Sequence, residues 1–316
     1  MDEITVPIYL ITGFLESGKT NFLNFTIGQD YFQIDGPTLL ILCEEGIEEY
    51  EEDVLKKSRT FVEVLDNPSQ LTTERLVAYD VFYNPARVII EYNGMWQVSQ
   101  LENLDMPKGW GISQEIVTVD STTFQVYMNN MKSLFVEMVR NADMVFFNRA
   151  DLEMPLAAFR RSVKAVNQAA EVVFENEEGE IDNIFQEAMP YDVNADVIEV
   201  MPEDYGIWYM DVLDHPDVYD GKKISFTAMV VKQKELGKNQ FVPGRMAMTC
   251  CADDTTFIGF VCKSKEASKL RTGSWIRIVA ELHFEYLDYY EEEGPVFTAV
   301  SIEPTEPLEE ELVYFN

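Results

Sequence analysis

The chain is poor in cysteine, histidine and positive charge: its 316 residues include four cysteines, two histidines and 24 lysines and arginines, against 56 aspartates and glutamates. Each shortage excludes something. Four thiols, two of them adjacent, make no disulfide framework, and this points to a reducing compartment. A formal charge of -32 repels a phosphate backbone, and no Lys/Arg stripe reverses it locally, so nucleic acid is not an expected partner. No apolar run reaches the roughly eighteen residues of a membrane-spanning helix. The N-terminal MDEITVPIYL opens on acids rather than on the basic stretch of a signal peptide. A cytoplasmic protein that does not itself span a membrane is the expectation. Internal repeats and low-complexity tracts are also missing.

What is present is a hydrophobic fraction of 47% in a length that suits two domains, each with its own core. VPIYLIT, TLLILCEE, FVEVLD, RVIIEYN, EIVTVDS, DMVFFNRAD and EVVFEN read as strands. They alternate with the helical patterns TTERLVAYDVF, TFQVYMNNMKSLFVEMVRN and PLAAFRRSVKAVNQ. Such alternation predicts βαβ units and a mostly parallel sheet. Near MPYDVNADVIEVMPEDYG the helical pattern stops, and Pro, Asp and Gly accumulate as at a domain boundary. Five strand-like runs follow, KISFTAMVVKQ, QFVPGRMAMTCC, TFIGFVCKS, SWIRIVAELHFEYL and PVFTAVSIEP, and five strands suit a small OB-like barrel. The expected division is an α/β P-loop domain over 1–190, a linker over 191–206 and an all-β OB-like domain over 207–316.

GFLESGKT, Gly13 to Thr20, has Gly, four residues, then Gly-Lys-Thr, set between a strand and a helical pattern. That spacing suits a phosphate-cradling loop, because backbone N–H groups converge on an anion at a helix N-terminus. Gly13, Glu16, Ser17, Gly18, Lys19, Thr20 and Asn21 are the candidate cradle. Lys19 would reach the terminal phosphates, and Thr20 would ligate Mg²⁺. Glu16 must face solvent, since a carboxylate beside phosphates repels them. In IIEYNG, Glu91 can hold a Mg²⁺-bound water and the Gly94 N–H can sense a γ-phosphate. Glu44 or Glu45, at the end of the second strand, can orient the attacking water; a solvated strand end is the alternative. In FFNRAD, the Asp151 carboxylate matches the donors of guanine and not of adenine. Asn148 accompanies it, and the Arg149 stem can lie along the base where guanine-specific sites carry Lys.

Together, PIYLITGFLESGKTNFLN, LCEEG, VIIEYNG, VTVDSTTF and NADMVFFNRAD resemble the CobW-type metallochaperone GTPases of the CobW/HypB/UreG class, over roughly residues 5–190. The resemblance implies a SIMIBI-type G domain and GTP hydrolysis coupled to handling a metal such as zinc or cobalt, with a metal-dependent client protein. Two departures accompany it. Relatives carry Gly or a small residue where Glu16 stands, and most carry a Cys-x-Cys-Cys motif where this chain has the cysteine-free TFVEVLDNPSQLT. From about Gly206 onward, HPDVYDGKKISFTAMVV, QFVPGRMAMTCCADD and GFV resemble the soluble domain of bacterial membrane proteins that accompany predicted permeases. A permease is therefore a second expected partner, with the chain as a nucleotide-dependent adaptor that hydrolyses little.

MTCCADD places Cys250 and Cys251 together, with Asp253 and Asp254 after them and Cys262 one strand on. These thiolates could hold Zn²⁺, completed by a carboxylate or by His283; small buried core residues are the alternative. The acidic runs EEGIEEYEED and EPLEEEL read as solvated surface or as cation capture.

Overall fold

Runs that are apolar without interruption become the inner strands. The computed structural model describes residues 4–44, 48–181, 189–248 and 255–315, and the chain forms two compact units, Met1–Ile184 and Phe185–Asn316. In the first, strands and helices alternate as β1 (Val6–Thr12), α1 (Lys19–Gly28), β2 (Thr38–Leu42), α2 (Glu52–Lys57), β3 (Thr60–Val64), α3 (Thr73–Tyr83), β4 (Arg87–Glu91) and α4 (Val98–Glu102). They continue as β5 (Trp110–Asp120), α5 (Phe124–Val139), β6 (Met144–Asn148), α6 (Leu156–Lys164), β7 (Glu171–Asn176) and β8 (Gly179–Glu180). The sheet runs β3-β2-β4-β1-β5-β6-β7-β8, and it is parallel except for β8 on β7.

All five residues of β4 are buried, as a strand covered on both faces requires. Alternation along β1 sends Ile8 and Leu10 into one core layer and Ile11 into the other. Helix α3 starts where the Thr72 hydroxyl accepts the Arg75 N–H at 3.3 Å, and it ends at Asn84 in the left-handed region, φ +44°. This layering brings the loops after β1, β2, β4, β5 and β6 to one end of the sheet, where open α/β sheets place their ligands.

One strand carries a charge at an unfavourable depth. Half-buried Glu115 on β5 is pushed up to about 7, first by burial and then by Glu102 and Asp143. A raised carboxyl is neutral in the folded chain while already ionised in the unfolded one, so it withdraws stability as pH rises from about 4.5 to about 7. Glu115→Gln is expected to stabilise the chain at pH 8 by about 1 to 2 kcal/mol after discounting for partial exposure. The gain should shrink toward pH 5.5. Denaturant melts at the two pH values test this, and equal shifts at both would disprove the assignment.

The second unit contains β9 (Ile198–Glu199), α7 (Tyr205–Asp214), α8 (Pro216–Tyr219), β10 (Lys223–Val231), β11 (Gln240–Met248), β12 (Thr255–Gly259), β13 (Val261–Lys263), β14 (Trp275–Leu287), β15 (Glu292–Pro304) and β16 (Leu312–Val313). Strands β10-β11-β13-β15-β14 close on β10, with β13 and β15 parallel. That is a five-stranded OB-type barrel. Its β9 lies within 191–206 and pairs with β10. Two helices, α7 and α8, lie between the stretch that reads as a boundary and β10 of the barrel. Trp208 of α7 is fully buried, with its ring 5.2 to 6.1 Å from those of Tyr205, Phe226, Phe260 and Phe297. Gly206 is required there, because a Cβ would lie 2.7 Å from the Tyr314 carbonyl.

Candidate functional site

The loop between β1 and α1 is shaped by close approaches that admit no side chain. Gly13 has φ +142°, and a Cβ on it would lie 2.3 Å from the Thr118 carbonyl oxygen. Gly18 has φ +90°, and a Cβ there would meet the Asn148 Nδ2 at 2.4 Å. Between them Glu16 adopts φ +61°, a left-handed conformation that costs a non-glycine residue about 1 kcal/mol. This is the physical reason a glycine suits that position. The Glu16 residue is exposed, as like-charge repulsion demands.

Neighbouring strand ends brace the loop. Ser17 Oγ and Thr118 Oγ1 are 2.8 Å apart, the Asn148 amide donates to the Ser17 carbonyl at 2.6 Å, and the Arg149 guanidinium donates to the Glu16 carbonyl at 3.2 Å and pairs with Asp120. Helix α1 has no side-chain cap and no acid in its first turn. Its N-terminal N–H groups therefore face outward with a positive end that suits an anion. Asn21 follows in that turn and is exposed.

The charged groups of the site hold one another. Buried Lys19 donates to the carbonyls of Gly13 at 2.8 Å and Phe14 at 3.0 Å, and its ammonium lies 2.5 Å from Glu44 Oε1. Thr20 Oγ1 donates to Glu91 Oε1 at 2.8 Å, and the Tyr50 hydroxyl donates to Glu91 Oε2. Burial raises the Glu91 carboxyl above the usual range, although the hydrogen bonds from Tyr50 and Thr20 and the Lys19 charge act against it. Burial and then Glu91 push the Tyr50 phenol upward, so it remains a donor. Cys43 beside them is buried, with its thiol pushed up to about 12 by burial and then by Glu44 and Glu91. A cavity of about 270 Å³ opens over this cluster, lined by Gly18, Lys19, Thr20, Glu44, Glu48 and Arg149 among others.

The remaining candidates are placed as follows. Gly94 is buried, and a Cβ on it would lie 2.2 Å from the Gly13 carbonyl oxygen, so the turn after β4 rests directly on the loop. Asp151 is exposed, with its Oδ1 accepting the Glu153 N–H at 2.8 Å. Asn148 keeps Oδ1 buried without a partner. Arg149, with φ +51°, reaches back to Asp120. Glu45 lies outside the described residues, as do Cys250, Cys251, Asp253 and Asp254.

Cys262 is fully buried, and burial pushes its thiol up to about 12. The register sets Cys262 opposite Phe297, and Phe297 opposite Leu282, which puts His283 on the other face of the barrel wall. The sequence-based pairing of Cys262 with His283 around one metal is corrected accordingly. His283 instead contacts Glu281 at 3.0 Å. Among the described residues, no group of three or more His, Cys, Asp and Glu side chains is arranged to hold a metal ion.

Sequence reasoning overlooked Tyr50, Thr118 and Asp120. Tyr50 sits inside an acidic run that reads as solvated surface, and no spacing rule ties it to Glu91. Asp120 and Thr118 stand in the quoted VTVDSTTF, so the end of β5 was the available signal.

Residues 7–174 match the family described as CobW/HypB/UreG, nucleotide-binding domain, and residues 175–315 match the DUF1980 C-terminal domain. The first match spans more than half of the chain, and the chain belongs to the CobW/HypB/UreG family, with a GTPase-type nucleotide-binding domain. No curated protein matches it. Among solved structures it is similar to the Zn(II)-bound YjiA GTPase from E. coli, with 15% identity, 82% of this chain and 90% of that one covered, and a TM-score of 0.43. It is also similar to the hydrogenase maturation factor HypB from Archaeoglobus fulgidus, with 17% identity, 55% and 82% covered, and a TM-score of 0.39. Among the described residues no helix is long and apolar enough to cross a membrane.

Proposed function

We propose that this chain binds GTP with Mg²⁺ and hydrolyses it slowly, as a cytoplasmic switch in the handling of a transition metal of the zinc or cobalt type. The observation that carries the nucleotide half is the self-held cluster in which Lys19 is bound by Glu44, and Thr20 and Tyr50 are bound by Glu91, at the uncapped start of α1. The metal half rests on family membership. A bound Mg²⁺ would draw charge off the transferring phosphoryl group.

The protein's own residues do the rest. Lys19 exchanges Glu44 for the terminal phosphates. Thr20 and Glu91, which hold each other at 2.8 Å, are the residues that would hold Mg²⁺, and the exchange would part them. Tyr50 is then released from Glu91, and the segment that carries it is free to move. Glu44, freed from Lys19, is placed to orient water. Guanine selection falls to Asp151, with Asn148 and Arg149 beside it, once Asp151 leaves its turn. Hydrolysis reverses these exchanges, which is how an electrostatic site becomes a two-state element.

The test is turnover and nucleotide competition on the full chain. GTP is expected to outcompete ATP by at least about tenfold, because guanine offers donors to the Asp151 carboxylate and adenine does not. Basal turnover is expected to be slow and to rise when zinc or cobalt is added. Equal binding of ATP and GTP would remove the base assignment and favour a kinase-like phosphoryl transferase. Tight GTP binding with turnover indifferent to every metal would favour the second reading, an adaptor that docks a membrane permease through its β unit. The strained Glu16 and the missing Cys-x-Cys-Cys support that reading.

A further inference from the structure

The scarce positive charge of the chain is gathered in the barrel. Residues 222–271 hold ten of its 24 lysines and arginines and only four of its 56 acids. The loop after β10 carries Lys232, Lys234 and Lys238 with one acid, and the loop after β13 carries Lys265, Lys269 and Arg271 with one. Hydrogen bonds hold the two loops side by side: the Ser264 N–H donates to the Asn239 carbonyl at 2.9 Å, and the Lys232 N–H donates to the Thr272 hydroxyl at 3.1 Å. No run of the sequence shows this reversal of charge, because β11, β12 and β13 separate the two loops.

A cavity of about 780 Å³ opens between them, lined by residues 237–240, 263–266 and 298–302. Lys238 and Lys265 stand exposed on its two walls, and among the described residues no carboxylate is paired with either. Lys263 is held by Glu285 at 2.6 Å, and Glu266 is the acid of the lining.

The third side of the cavity is an open strand edge. Strand β15 pairs with β13 only at Val296, Phe297 and Thr298, and from Ala299 to Pro304 it keeps β14 alone among the described strands. The register skips Val300, a bulge that bends β15 where it parts from β13. The Thr305 N–H donates to the Trp275 carbonyl at 3.0 Å, and alternation back along the strand turns the backbone of Ser301 and Glu303 toward β14 and that of Ile302 and Pro304 away from it. Pro304, which has no N–H to give, suits that outward side.

We propose that this cavity receives an acidic peptide segment in extended conformation, which adds alongside β15 at residues 299–302 and sets its carboxylates against Lys238 and Lys265. Charge complementarity names an anion, and the open row of backbone donors and acceptors names a peptide, which alone can pair along it. No aromatic residue lines the cavity, so the bases of a single-stranded nucleic acid would find no ring to stack on. The inference is independent of the nucleotide chemistry.

Fluorescence anisotropy on the full chain tests it, with a labelled peptide of about eight residues that alternates Glu with Val, since the period of a strand gathers the carboxylates on one face. Binding with a Kd on the order of 10 to 100 μM is expected at about 0.1 M salt. Lys238→Glu combined with Lys265→Glu should weaken it by about tenfold or more, with GTP affinity unchanged. The same peptide with every backbone nitrogen methylated keeps its carboxylates but has no backbone donors, and it should also bind at least about tenfold more weakly. A parent chain that does not bind the peptide overturns the proposal, as does binding indifferent to the double variant or to methylation. An oligo-dT strand that binds more tightly than the peptide and is weakened by the double variant overturns it in favour of a nucleic-acid site.

Discussion

Lys19→Ala is expected to weaken nucleotide binding by about 30- to 150-fold, the equivalent of the roughly 2 to 3 kcal/mol carried by a charge-assisted contact. The ammonium is held at 2.5 Å from Glu44 and within 3.0 Å of two loop carbonyls, so it is pre-positioned and little entropy is lost when phosphate oxygens take over. Glu44 competes for the same charge. Removing that competitor with Glu44→Gln should therefore tighten binding while Lys19→Ala loosens it, and the opposite signs separate a phosphate contact from a structural one. Calorimetry with GTP gives both numbers. Affinity unchanged in Lys19→Ala would show that this loop does not carry the nucleotide.

The legible parts of the sequence were those whose geometry is local. Gly13, Gly18, Lys19 and Thr20 announce the loop because a backbone on which a Gly13 Cβ would lie 2.3 Å from the Thr118 carbonyl oxygen cannot carry a side chain there, and that constraint leaves a spacing behind. Strands β2 and β4 were legible because burial on both faces leaves continuous apolar runs. The barrel was legible as five runs, one of which bends into β12 and β13 around Phe260.

Partnerships across the sheet were not legible. Asn148 supports Ser17 from 131 residues away, and Tyr50 caps Glu91 from 41. Such contacts depend on strand order, which no local pattern encodes. Helix α7 was hidden by Gly206, which reads as a breaker but is needed where the C-terminal segment crosses. FVEVLD reads as a strand without showing its place in the sheet, and β3 ends the sheet and leaves Phe61 in water. Glu16 is the local rule the chain breaks: a carboxylate in a left-handed turn is kept by bracing from Arg149 and Asn148.

Gly94→Ala should abolish tight nucleotide binding while leaving the β unit folded. Gly94 does not require a left-handed conformation, so its replacement tests contact alone. An added Cβ would sit 2.2 Å from the Gly13 carbonyl oxygen, 2.7 Å from the Gly13 carbonyl carbon and 3.0 Å from the Phe14 Cα. All three are backbone atoms, so no rotamer change can relieve the clash. The turn after β4 must then withdraw from the loop or push it aside. Withdrawal drags Glu91 from Thr20, and displacement moves the Gly13 carbonyl that holds Lys19. Either route misaligns the phosphate cradle, where a displacement of about 1 Å is enough to cost two orders of magnitude. Overpacking of this kind also destabilises a domain by about 1 to 3 kcal/mol. The thermal transition of the nucleotide-binding unit should accordingly fall, while that of the β unit, whose core around Trp208 is its own, stays in place. Calorimetric unfolding resolves the two transitions, and titration with GTP measures the affinity. Binding retained at the parent level in a folded Gly94→Ala protein would mean that this turn takes no part in shaping the site.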